Sequence, residues 1–196
     1  ARQIPWVDQD IRAGQWKKHP GFALRECTLG IIGIGNIGRA VARRGKAFGM
    51  RLLGNDLLEI PTGVLAEYGL TMCSLEQCLR EADIVTLHCD LNPSSYHLIG
   101  SEQFKMMKPS SYIINTARGP IINEPALVEA LRTNKIAGAG LDVFEREPFP
   151  LDSPLREFSK VLFSPHNSNS SPSAWTRVHE NTLKNLLDEL NKHNNV

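Results

Sequence analysis

The 196-residue chain has no apolar run long enough to cross a membrane, and its first residues lack the apolar core of a signal peptide. It also lacks charge of one sign. Lys and Arg number 22 against 21 Asp and Glu, a net charge of +1 with no long basic run, so neither nucleic acid nor a membrane surface is expected as a partner. Lys17-Lys18 and Arg43-Arg44 read as solvated surface. Cysteine is scarce: Cys27, Cys73, Cys78 and Cys89 form neither a C-x-x-C pair nor a dense framework, and no metal site is expected. Two of the four lie in apolar, strand-like runs, which predicts reduced core thiols and a cytoplasmic setting. Internal repeats and low-complexity linkers are missing too. What remains is an ordinary globular composition, 41% hydrophobic and 22% charged, sufficient for one full core.

Apolar segments at Thr28–Ile32, Met50–Leu53, Asp83–His88, Tyr112–Asn115, Ala137–Val143 and Val161–Phe163 alternate with helical patterns. Helix starts are legible at Ser74-Leu75-Glu76, at Ser101-Glu102 and at Glu124-Pro125-Ala126, where capping residues or an early proline precede apolar periodicity. This alternation predicts an α/β fold, a doubly wound parallel sheet in three layers. Ser164–Ser173 is polar and proline-punctuated, hence loop. Ala174–Leu190 reads as a long terminal helix with Val178, Leu183, Leu186, Leu187 and Leu190 on one side. Ile4–Trp16 is a short amphipathic segment whose apolar flank predicts docking on a second subunit, so a homodimer is expected.

The sharpest local signal is Gly33-Ile34-Gly35-Asn36-Ile37-Gly38, placed between the first strand and a helix, with Asp56 following Gly38 by 18 residues. The first glycine permits the tight turn, the second lets backbone approach a pyrophosphate, and the third lets helix pack on strand. The helix, with Ile37, Ala40, Val41 and Phe48 read as its apolar stripe and Gly49 as its stop, aims free amides at the phosphates. Phosphate charge is thus met without a lysine. Asp56, at the end of the second strand, can accept from both ribose hydroxyls and repel a 2'-phosphate, which favours NAD over NADP.

Ligands in such sheets bind beyond the carboxyl ends of the strands. Asn115-Thr116-Ala117-Arg118-Gly119, Asp142 through Pro148, and Ser164-Pro165-His166 follow three successive strands and bring a guanidinium, carboxylates and an imidazole to one rim. An arginine fork grips a carboxylate and polarises a neighbouring carbonyl, and an imidazole passes a proton to that oxygen as hydride reaches carbon. A carboxylate beside the imidazole stabilises its protonated form.

Taken in order, Leu29 through Gly38, Leu87-His88-Cys89, Asn115 through Gly119, Gly140 through Phe144 with Glu147-Pro148, and Ser164-Pro165-His166 resemble the cofactor-binding domain of the D-isomer-specific 2-hydroxyacid dehydrogenases. The resemblance implies that residues 1–196 form a Rossmann NAD-binding domain, with 174–196 directed toward a substrate domain of roughly 100 residues that would precede Ala1. It implies that Arg118 binds the carboxylate and carbonyl of a small 2-hydroxy or 2-oxo acid, that His166 is the acid/base, and that Glu147 orients and charges it. For the cofactor it implies Gly33, Gly35, Asn36, Ile37 and Gly38 at the pyrophosphate and Asp56 at the adenosine ribose. Cys89 with Asp90 would lie on the adenosine side, and Thr116, Ala117, Asp142, Arg118 and His166 at the nicotinamide.

The pattern departs from the family in two places: Asp90 stands where proline is usual, and Asn167-Ser168-Asn169 replaces a more apolar run. Glu147 separates the chain from the formate dehydrogenase branch, which has an amide there. Without a substrate domain the chain is expected to bind NAD(H) but to turn over 2-oxo acids poorly. An NAD-sensing co-repressor resembles the same family and is the alternative. A methyltransferase using S-adenosylmethionine shares the early glycines and acid but gives no reason for Arg118, Glu147 and His166.

Overall fold

A computed structural model describes residues 1–168 and 170–194. Seven parallel strands among these residues form one sheet: β1 (Thr28–Ile32), β2 (Arg51–Asn55), β3 (Leu70–Met72), β4 (Ile84–Leu87), β5 (Tyr112–Asn115), β6 (Gly138–Leu141) and β7 (Val161–Phe163). Their spatial order is β3-β2-β1-β4-β5-β6-β7, so the chain reverses direction across the sheet between β1 and β4. The expected doubly wound sheet is therefore present. Six strands follow the segments read from sequence, and β3 is the addition. It has only three residues, with Leu70 buried and Thr71 exposed, too short for a periodicity to stand out.

The helices are α1 (Ile4–Arg12), α2 (Asn36–Ala47), α3 (Thr62–Tyr68), α4 (Leu75–Glu81), α5 (Ser101–Met106), α6 (Glu124–Arg132) and α7 (Pro172–Asn194). Ser74 caps α4 by accepting from the Gln77 amide at 3.2 Å, and Asn123 caps α6 through Ala126 at 2.9 Å. One core cluster joins the sheet to α4, α5 and α6 through Leu79, Phe104, Leu127 and Leu131. The other lies under α2 and α3, with Ala42, Ile60 and Leu70. Each fully buried Leu or Phe here contributes about 2–3 kcal/mol by leaving water.

The stripe expected on α2 is corrected. Ile37 and Phe48 are exposed, and the helix instead buries Gly38, Ala42 and Gly45. A Cβ on Gly45 would lie 2.8 Å from a Leu52 methyl and 3.0 Å from one of Leu29, so small residues, not large ones, face the sheet. That closeness seats the N-terminus of α2 directly over the end of β1.

Right-handed crossovers put α2 and α3 on one face and α4 to α6 on the other. Over β4 to β7 the first face is crossed by the N-terminal segment. Trp6 donates to the Ser159 carbonyl at 2.7 Å, and Phe22 meets the Tyr112 ring at 5.9 Å between centroids. A cavity of about 430 Å³ lies beneath this segment. No helix among the described residues is long and apolar enough to cross a membrane.

Register brings the strand ends into one row. Ile32 pairs with Asn55 and with Leu87, Leu87 with Asn115, Asn115 with Leu141, and Leu141 with Phe163. The next residues, Gly33, Asp56, His88, Thr116, Asp142 and Ser164, thus start their loops along a single rim.

Candidate functional site

The loops after β1 and β4 meet backbone to backbone at the reversal point. Gly33 has φ +92, and a Cβ there would lie 2.5 Å from the Cys89 nitrogen. Gly38 packs on the Gly33 carbonyl with no room for a methyl, whereas the space beside Gly35 is open. A cradle without side chains, facing the amides of Asn36, Ile37 and Gly38 at the start of α2, fits a pyrophosphate. The Asp56 carboxylate accepts from the Ile34 amide at 2.6 Å and from Leu58 at 2.9 Å. It is thereby fixed beside the glycine turn, with lone pairs left for ribose hydroxyls.

Two cavities run along this rim. One, about 390 Å³, has Gly33, Gly35, Asp56, Cys89 and Asp90 in its wall; the other, about 330 Å³, has Ile37, Thr116, Ala117 and Arg118. They share His88, Cys89 and Asp90 and so form one continuous trench along the rim. Burial pushes His88 down to about 4, leaving a neutral ring whose Nε2 meets the Thr86 hydroxyl at 2.9 Å. Burial also raises the Cys89 thiol, helped by the charges of Asp90 and Asp56, so no thiolate faces the trench at neutral pH. All four cysteines are free, with Cys27 and Cys78 buried and Cys73 and Cys89 half-buried.

Beyond the trench, Asn115 builds the turn that carries Arg118. Its buried side chain accepts from the Ala117 amide at 3.0 Å and donates to the Arg118 carbonyl at 2.9 Å. Gly119 then lies so close to the Phe144 carbonyl that any side chain would collide, which brings the Arg118 turn against the loop holding Glu147. Glu147 Oε1 accepts from the Phe144 amide at 3.0 Å, and Oε2 accepts from His166 Nδ1–H at 2.8 Å. Burial works to raise the Glu147 carboxyl. The His166 and Phe144 hydrogen bonds, with the nearby charges of His166 and Arg118, outweigh it and hold the group below its ordinary value.

His166 itself adopts φ +53, a left-handed conformation that a side chain rarely takes. Asp142 over-determines it. The Asp142 carbonyl accepts from the His166 amide at 2.7 Å, while its carboxylate accepts from the amides of Asn167 at 2.8 Å and Ser168 at 3.0 Å. Burial raises the Asp142 carboxyl, but these bonds and one from the Ser164 hydroxyl prevail and depress it. A carboxyl depressed in the folded state stabilises the fold above its ordinary value near 4, and that contribution vanishes as pH falls through the lower folded value. Asp142→Asn is expected to cost about 1–3 kcal/mol at pH 7 and to flatten the loss of stability between pH 5 and 2. Urea melts across that range check both.

Sequence reasoning thus placed Arg118, Glu147, His166 and Asp142 on one rim, and they do come together, although Glu147, His166 and Asp142 line neither cavity. It named His88, Asn115 and Gly119 within its signatures but gave none of them a role of its own. A buried asparagine and a glycine ending a strand loop were the available signals. Asn169, named among the departures, lies outside the described residues.

The family model for the D-isomer specific 2-hydroxyacid dehydrogenase NAD binding domain matches residues 1–168. The chain belongs to that family. It is an NAD-binding domain, and NAD is its cofactor. It is 42% identical over 193 residues to a glyoxylate reductase of Korarchaeum cryptofilum, covering 95% of this chain and 58% of that protein. A crystal structure of a glyoxylate reductase from Paecilomyes thermophila is 36% identical, with a TM-score of 0.86 over 94% of this chain and 56% of that one. The D-lactate dehydrogenase of Aquifex aeolicus, complexed with NAD and lactic acid, gives a TM-score of 0.87 at 29% identity, covering 97% and 62%. The NAD-binding domain therefore spans little more than half the length of these three proteins.

Proposed function

We propose that the natural-length protein is an NAD-dependent oxidoreductase that interconverts a small 2-oxo acid and its D-2-hydroxy acid. The observation that carries this reading is the His166–Glu147 pair on the same rim as Arg118. NADH, when bound, would supply the hydride that reduces the substrate carbonyl carbon. The Arg118 guanidinium forks the substrate carboxylate and stabilises charge growing on the carbonyl oxygen. Glu147 accepts from Nδ1–H and so aims Nε2 at the substrate, where it gives a proton to that oxygen in reduction and takes it back in oxidation. The Glu147 charge stabilises the ring while both nitrogens carry hydrogen.

For the cofactor, Gly33, Gly35, Asn36, Ile37 and Gly38 hold the pyrophosphate and Asp56 the adenosine ribose, with Cys89 and Asp90 beside it. Thr116 and Ala117 line the nicotinamide. Asp142 would lie beside the nicotinamide, its carboxylate engaged by the amides of Asn167 and Ser168 and the hydroxyls of Ser164 and Ser168. Glyoxylate and its near homologues are the substrate class, in line with the glyoxylate reductases among the relatives.

Three further readings complete the proposal. The stripe Val178, Leu183, Leu186, Leu187 and Leu190 on α7 is exposed and supports a substrate domain packed on that helix and closing the cleft to water. Ile4 and Ile11 on α1 and Trp16, 90% exposed, support a homodimer through the N-terminal segment. The free thiols support a cytoplasmic location.

Titration with NADH and NADPH, then assay with glyoxylate, hydroxypyruvate and pyruvate, tests the reading. NADH is expected to bind far more tightly. Arg118→Ala is expected to lower kcat/KM about 10²-fold, the worth of two charge-assisted bonds. Equal nucleotide affinities, or an unimpaired Arg118→Ala protein, would reject it.

A further inference from the structure

A second imidazole–carboxylate pair lies behind the first. His97, in the loop after β4, donates from Nε2–H to Glu145 Oε1 at 2.7 Å. Its tautomer follows from its other neighbour. Asn123 Oδ1 accepts from the Ala126 amide at 2.9 Å, so the Asn123 amide nitrogen must donate to His97 Nδ1, 3.1 Å away. An Nδ1 that accepts leaves the hydrogen on Nε2, directed at Glu145.

Glu145 and Glu124 are also exchanged between loops. The Glu145 amide donates to Glu124 Oε1 at 2.6 Å, and the Glu124 amide, at the start of α6, donates to Glu145 Oε1 at 3.1 Å. The His97 amide completes the knot by donating to the Pro120 carbonyl at 2.8 Å. Three loops are thereby joined: the one after β4, the one bearing Arg118 and the one bearing Glu147. The junction sits next to the Gly119–Phe144 contact, one residue from Arg118 and three from Glu147. The polar atoms of His97, Glu124 and Glu145 are engaged with one another and with Asn123, and neither trench cavity has any of the three in its wall.

We propose that His97, Glu145 and Glu124 are positioning residues, a clamp that sets the distance from the Arg118 fork to the Glu147–His166 pair and so the fit of a 2-oxo acid between them. This rests on the roles given above to Arg118, Glu147 and His166. A carboxylate and a carbonyl oxygen joined through one carbon–carbon bond must reach both groups at once, and a displacement of about 1 Å at such a site costs up to about 10²-fold in rate. Carboxylate-to-amide and imidazole-to-carboxylate bonds are short and directional, so the clamp fixes loops that glycine contact alone would leave free to slide.

The test uses the natural-length protein with NADH and oxamate, a 2-oxo acid analogue that cannot be reduced. His97→Phe keeps the ring stacked on Tyr96, now 4.0 Å between centroids, and removes both nitrogens. Its calorimetric Kd for oxamate is expected to rise about tenfold and its kcat with glyoxylate to fall about tenfold, while its Kd for NADH stays within about twofold of wild type. His97→Gln, which returns an N–H to Glu145, is expected to recover most of both losses. Oxamate affinity and kcat unchanged in His97→Phe overturn the clamp, as does NADH affinity lost in step with oxamate, which would mark general damage to the fold. Arg118→Ala separates the two levels: if that variant binds oxamate as wild type does, the reading of the cleft has failed; if it binds weakly and His97→Phe binds normally, only the clamp has.

Discussion

His166→Ala is expected to lower kcat for glyoxylate reduction by about 10³-fold while leaving the Kd for NADH nearly unchanged, because the glycine turn and Asp56, which would hold the pyrophosphate and ribose, are untouched. The loss follows from where the proton must come from. A hydride arriving at a carbonyl carbon leaves an alkoxide unless an acid stands within reach, and His166 is the imidazole whose far nitrogen Glu147 leaves available. Glu147→Gln should fall between the extremes, since its amide oxygen still accepts from Nδ1–H but carries no charge. Stopped-flow measurement of NADH oxidation, beside fluorescence titration of NADH, separates chemistry from binding. A variant that reduces glyoxylate at an undiminished rate would remove His166 from the mechanism.

Gly38→Ala is expected to act on the other half of the site, weakening NADH binding at least about 10²-fold and destabilising the fold by about 3 kcal/mol. The added methyl would collide with the Gly33 carbonyl, an atom of the phosphate turn that cannot yield without displacing the Cys89 backbone beside it. Gly35→Ala gives the contrast. Open space lies beside Gly35, so the fold should tolerate a methyl there while the pyrophosphate loses its approach. Melting curves and NADH titrations of the two variants should therefore diverge, with stability lost only in Gly38→Ala. Equal melting temperatures for all three proteins would refute the packing argument.

Much of this arrangement is legible in the sequence because it rests on backbone chemistry that few residues satisfy. The glycine turn, Asp56 and the alternation of strands with helices required only local patterns and one parallel-sheet rule. The α2 face failed for a physical reason: apolar periodicity assumes that large side chains point inward, whereas a helix packed this closely on β1 and β2 must turn Gly38, Ala42 and Gly45 toward them. Strand β3 escaped because three residues cannot declare a period. Arg118, Glu147 and His166 were placed on one rim from their positions after strands, but their mutual distances depend on Asn115, Gly119 and Asp142. Those residues act through single long-range contacts that spacing along the chain does not encode.

The strands that carry the two halves of the site differ in how firmly they are held. The glycine turn leaves β1, flanked by β2 and β4 at the centre of the sheet. His166 leaves β7, an edge strand of three residues that among the described residues pairs with β6 alone, with Leu162 45% and Phe163 40% exposed. Local unfolding starts where buried contacts are fewest, so the edge opens at a lower free-energy cost than the centre. Amide hydrogens of β7 then exchange with solvent ahead of those in β1 and β4. In mild denaturant the molecule is expected to pass through a regime in which the glycine turn is still folded while the segment bearing His166 has opened.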